Sequence, residues 1–132
     1  MFSTPSTLLL SLLAITGTLA APNPLQKRIE LSCTDNGGGT RPVSAAQSCV
    51  DYLNNKGDDA CTITGESGIF CQNGDTVITG SNVSGKGSSS SSCRDVATGV
   101  KTIIDRCASD GQVAGYANPN GNGDIIVSIN RK

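Results

Sequence analysis

The amino-acid sequence predicts an α+β fold, a two-layer sandwich in which two amphipathic helices cover an antiparallel sheet and disulfides staple the layers. Three observations predict it. Two segments carry apolar residues at helical spacing, several shorter ones read as strands bounded by Gly and Asn turns, and six cysteines are spread among both kinds. From residue 29 onward the only aromatic residues are Tyr52, Phe70 and Tyr116. A core built mainly from Val, Ile, Leu and Ala in so short a chain has little margin, which disulfides supplement.

The chain opens MFSTPSTLLLSLLAITGTLA. Leu8 to Ile15 has the length of a signal-peptide apolar core, and Thr18-Leu19-Ala20 supplies small residues for cleavage, so residues 1–20 read as a signal peptide ending at Ala20. Pro5, Ser6, Ser11 and Thr16 interrupt the stretch, which is therefore unsuited to span a bilayer. APNPLQKR, residues 21–28, reads as a pro-segment ending at the dibasic pair Lys27-Arg28. The mature protein is then a single domain, residues 29–132, secreted to the extracellular space.

Ile29 to Cys33 alternates in the manner of a strand, and TDNGGGTRP is a loop. Val43, Ala46, Cys49, Val50 and Leu53 share one helical face, with Pro42 suited to the first turn and Gly57 to the stop, so a helix is expected over 43–55. ACTITGESGIFCQNGDTVITG is a run of short strands. The chain turns at Gly65–Gly68 and again at Asn73-Gly74, a hairpin signal between IFCQ and DTVIT. SNVSGKGSSSSS is low-complexity and reads as a flexible loop carrying the N-glycosylation sequon Asn82-Val83-Ser84. A second helix is expected over Cys93–Cys107. Ser92 is its cap, and Cys93, Val96, Ala97, Val100, Ile103, Ile104 and Cys107 lie on one face. Gly99 costs up to ~1 kcal/mol inside a helix and suits a close approach. QVAGYA and DIIVSIN close the chain as two strands joined by NPNGNG.

Cys93 and Cys107 cannot bond to one another, because fourteen helical steps separate them by ~21 Å and a disulfide needs Cα atoms within about 7 Å. Cys61 and Cys71 flank the Gly65–Gly68 turn and are expected to pair across it. The core-facing Cys49 is then expected to join Cys93, and Cys33 to join Cys107, one of fifteen formal possibilities.

Composition excludes several functions. The chain contains no histidine, which removes Ser-His-Asp and Cys-His catalysis and His-ligated zinc. Asn118, Asn120, Asn122 and Gly123 resemble the start of a calcium loop, yet its acidic ligand would fall on Ile129, so a plain turn is expected and no metal or cofactor. Removing Lys27 and Arg28 leaves eight cations against eleven carboxylates, a net charge near −3, the wrong sign for nucleic acid. Arg94, Lys101 and Arg106 read as a solvated helix face. Asp58, Asp59 and Glu66 are the carboxylates a histidine-free hydrolase would have to use.

The cysteine order and segment types of IELSC, ACTITGESGIFCQNGDTVITG, CRDVATGVKTIIDRC and GQVAGYANPNGNGDIIVSI resemble the KP-four-type killer toxin of smut fungi and similar secreted fungal proteins. That resemblance implies bonds Cys33–Cys107 and Cys49–Cys93, and a non-enzymatic toxin that inhibits calcium uptake. In that family a basic stretch before the counterpart of Cys71 carries activity. Here the stretch is GESGIF, without Lys or Arg. The expectation is a secreted, monomeric, non-enzymatic killer-toxin-like protein or effector that acts on a surface target of a competitor fungus or plant host. Its binding residues would include Glu66, Ile69 and Phe70. A wall- or matrix-associated structural protein is the alternative, and a histidine-free hydrolase the third reading.

Overall fold

The computed structural model describes residues 31–35 and 37–132. The expected signal peptide, the expected processing residues Ala20, Lys27 and Arg28, and the start of the first expected strand lie outside the described residues. Ten elements follow in order: β1 (Arg41–Pro42), α1 (Val43–Lys56), β2 (Ala60–Thr64), β3 (Ser67–Asn73), β4 (Thr76–Asn82), β5 (Ser88–Ser92), α2 (Cys93–Cys107), β6 (Gln112–Val113), β7 (Gly115–Ala117) and β8 (Ile125–Arg131). The expected two-layer α+β sandwich is present. An antiparallel four-stranded sheet of order β3-β4-β8-β7 carries α1 against β3 and β4, and α2 against β7 and β8. Two small antiparallel ladders, β2 with β5 and β1 with β6, close the structure beside it.

Both helices form where their apolar spacing places them. The buried stripe of α1 is Ala46, Cys49, Val50 and Leu53, and Gly57 ends the helix with a positive φ of 58°. Pro42 is the residue before the first turn rather than within it. In α2, Ser92 Oγ accepts the Asp95 N–H at 3.1 Å, satisfying one of the donors that a helix start leaves open. Val96, Ala97, Val100, Ile103 and Ile104 then face Ile78, Ile125, Val127 and Ile129 of the sheet within one apolar core. Burying each of these larger side chains contributes about 1.5–3 kcal/mol. A Cβ on Gly99 would lie 3.1 Å from the Asn118 carbonyl oxygen, so α2 rests directly on the backbone of the β7–β8 loop.

The strands differ from expectation in four places. Among the described residues the first strand is reduced to a bridge, Ser32 exchanging backbone bonds of 3.0 and 2.9 Å with Tyr116. QVAGYA splits into β6, which pairs with β1, and β7, which pairs with β8. The β3–β4 hairpin turns one residue later than Asn73-Gly74. Asn73 pairs with Thr76, leaving Gly74 and Asp75 to turn, with Gly74 at φ 59°. The largest difference is the serine run, which is a strand and not a flexible loop. Ser88 to Ser92 pair with Thr64 to Ala60 in full register, and Ser89 and Ser91 point inward. The run has no apolar alternation of its own. Its partner supplies that in Cys61 and Ile63, and hydroxyls complete the ladder, as in the 3.0 Å contact between Thr62 and Ser90.

That strand also corrects the disulfides. Cys33 bonds Cys107 as expected, but Cys49 bonds Cys71 and Cys61 bonds Cys93. β5 runs straight into α2, so the β2–β5 ladder carries Cys93 to the side of Cys61, with the Cys93 N–H bonded to the Asp59 carbonyl at 2.8 Å. β2 and β3 are not paired with each other, so the Gly65–Gly68 turn never brings Cys61 and Cys71 together as a hairpin would. Cys71 instead faces α1 and reaches Cys49.

Candidate functional site

α1 and the edge strand β3 are joined by Cys49–Cys71, whose Cα atoms are 5.8 Å apart. Around this bond the chain departs from regular strand geometry. Ile69 pairs with Thr79 and Cys71 with Ile78, so Phe70 is the extra residue of a β-bulge. The bulge turns the Phe70 ring toward Gly80, where a Cβ would lie 2.5 Å from both Phe70 Cε2 and Ile63 Cδ1. Gly80 is therefore the seat of the ring, and Phe70 packs partly against the core. Ile69, its neighbour, is 59% exposed.

Across from it, Tyr52 of α1 is 49% exposed, and the Lys56 ammonium sits 5.3 Å from the centre of its ring. Between the two elements lies an open cleft of about 520 Å³, lined by Ser48, Tyr52, Ile69, Phe70, Cys71, Gln72 and Asn73. No lining residue carries a charge. An aromatic ring and a branched aliphatic side chain stand at the rim with amides and a hydroxyl beside them, the mixture of apolar surface and few polar groups found in binding clefts. The cation beside it is Lys56, whose ammonium stands over the ring of Tyr52.

Of the residues singled out in the sequence, Ile69 and Phe70 line this cleft and Glu66 does not. Glu66 sits exposed in the turn between β2 and β3, where its carbonyl accepts the Asn82 N–H at 2.8 Å. Tyr52 was not among the expected binding residues. Its signal in the sequence is an aromatic residue lying off the apolar stripe of α1, where packing does not require one.

The carboxylates of a hydrolase do not converge. Asp59 and Glu66 lie beyond opposite ends of the extended β2, on the order of 20 Å apart along the strand, whereas paired glycosidase carboxylates stand about 5–9.5 Å apart. Asp58 is paired with Arg94 at 2.7 Å on the surface. Lys101 is paired with Asp105 at 2.7 Å, so two cations of the α2 face are already matched. The asparagines of the β7–β8 loop are occupied with protein: Asn118 Nδ2 donates to the Ile125 carbonyl, Asn120 Nδ2 to the Asp95 carboxylate and Asn122 Nδ2 to the Ser90 carbonyl. Among the described residues no helix is long and apolar enough to cross a membrane.

Residues 28–131 match the model of DUF8794, a domain of unknown function, and the chain belongs to that family. The family description assigns no activity and makes no reference to killer toxins. A search of curated proteins finds no match.

Proposed function

We propose that the protein is secreted and acts outside cells by binding, without catalysis, as a killer-toxin-like protein or effector directed at a competitor fungus or a plant host. The observation that carries this reading is the uncharged cleft between α1 and β3, with Tyr52 and Ile69 exposed at its rim and the Cys49–Cys71 bond fixing its walls. A small domain gains little from leaving two such side chains in water, so their exposure fits a contact surface. Three disulfides suit an oxidising, extracellular setting, and the family match over residues 28–131 covers all but the last residue of the segment that cleavage after Lys27-Arg28 would leave. The recognition differs in kind from the basic stretch of the killer toxins, since neither GESGIF nor the cleft contains a cation. The same lack of a basic stretch favours a second reading, a wall-bound structural protein.

The test applies the oxidised protein, residues 29–132, to competing fungi and to plant tissue, scoring growth and cell death with and without added calcium. Inhibition relieved by calcium supports a block of calcium uptake. Necrosis indifferent to calcium supports an effector. Retention in washed cell walls without toxicity moves the account to the wall protein, and the absence of every one of these effects refutes the proposal.

A further inference from the structure

The sequon Asn82-Val83-Ser84 is densely hydrogen-bonded within the fold, which is an unusual place for a glycan. Asn82 ends β4, and its own N–H is bonded to Glu66 of the β2–β3 turn. Its side chain makes five further hydrogen bonds. Nδ2 donates to the carbonyl oxygens of Gly65 at 3.0 Å and Lys86 at 2.8 Å. Oδ1 accepts the Ser84 N–H at 3.0 Å, the Ser84 hydroxyl at 2.6 Å and the Ser89 hydroxyl at 2.9 Å. An asparagine amide has two donor hydrogens, and both are spent here. The Ser84 hydroxyl, the second residue type the sequon requires, in turn accepts the Lys86 N–H at 3.0 Å. Asn82 thus ties together the turn after β2, the 84–87 loop and the start of β5.

We infer that N-glycosylation of Asn82 and the native fold exclude one another, so that the sequon serves as a buckle in the folded protein and is modified only in chains that have not closed. Transfer from a lipid-linked oligosaccharide diphosphate replaces one Nδ2–H bond by an Nδ2–C1 bond, the proton and the lipid diphosphate departing together. Whichever hydrogen is replaced, the sugar then points at a carbonyl oxygen now within 3.0 Å of Nδ2. The amide must swing out to carry it. That motion releases the 84–87 loop and the start of β5, and with β5 the ladder that sets Cys93 beside Cys61. A glycosylated chain is therefore expected to lack the Cys61–Cys93 bond. This inference is independent of what the α1–β3 cleft binds.

The experiment expresses the full chain in a eukaryotic secretory host, beside a chain with all six cysteines replaced by Ala, whose lack of fold is checked by protease sensitivity. Masses before and after peptide N-glycosidase treatment are compared in cells and medium, and disulfides are mapped without reduction. The expected result is one glycan on the unfolded chain and none on secreted wild type. Any glycosylated wild type should lack Cys61–Cys93. A secreted wild type carrying both the glycan and that bond overturns the inference. So does the absence of glycan from both chains, because the fold would then not be what protects Asn82.

Discussion

Replacing Cys61 and Cys93 together by Ala opens the bond that anchors β2 to the start of α2. The two cysteines are 32 residues apart in sequence. The chain-entropy model assigns a loop of that size about 3.7 kcal/mol. Cys61 is 7% and Cys93 1% exposed, so their sulfurs also fill core volume, and the void left by Ala adds about 1 kcal/mol. A loss of about 4–5 kcal/mol approaches the lower end of the ~5–15 kcal/mol that stabilises an ordinary domain. In urea, at a slope of about 2 kcal/mol per molar, the unfolding midpoint should fall by about 2 M. The single variant Cys61→Ala gives a second readout. The thiol it releases should be Cys93, located by alkylation and peptide mapping. Release of Cys71 instead, or a stability loss in the double variant below about 1 kcal/mol, would refute the wiring and the energetic argument built on it.

Three further perturbations probe the scaffold. Ser92→Ala removes the side-chain cap of α2 and should cost about 1 kcal/mol, read from the same urea curves. Gly80→Ala drives a methyl group into Phe70 and Ile63, and should cost about 1–3 kcal/mol while shifting the Phe70 ring resonances in an NMR spectrum. Asn82→Asp keeps the shape and the acceptor oxygen but deletes both donors. It places a carboxylate opposite two carbonyls and should cost about 2 kcal/mol, with faster amide exchange through residues 84–89.

The parts of this fold readable in the sequence are those where the chain states its own burial. The helices announce themselves because Ala46, Cys49, Val50 and Leu53, and again Val96, Val100, Ile103 and Ile104, repeat at 3.6-residue spacing, and Ser92 and Gly57 mark ends. β5 does not, because SSSSS has no apolar residue to alternate; its strand identity resides in Cys61, Ile63 and Thr62 across the ladder and in Asn82. The partners of Cys61 and Cys49 stay hidden in the sequence for the same reason, since the place of Cys93 in the fold follows from where β5 ends. The cleft was half readable. Ile69 and Phe70 stand in a strand segment flanked by a turn and a cysteine, but Tyr52 joins them only because Cys71 bonds Cys49, which no local pattern reveals. Glu66 was the opposite case, a charged residue near the site in sequence that the β2–β3 turn holds off the cleft.

The most direct test of the account compares the oxidised wild-type protein with Tyr52→Ala/Ile69→Ser, a pair of changes at two exposed side chains that should leave the urea midpoint nearly unchanged. Both proteins are titrated against intact responsive cells, measuring bound protein and the accompanying growth inhibition or cell death. The account predicts at least a tenfold loss of binding, on the order of 1.4 kcal/mol or more, with a parallel loss of effect. A variant that folds normally, binds as wild type does and remains fully active would contradict the assignment of the α1–β3 cleft.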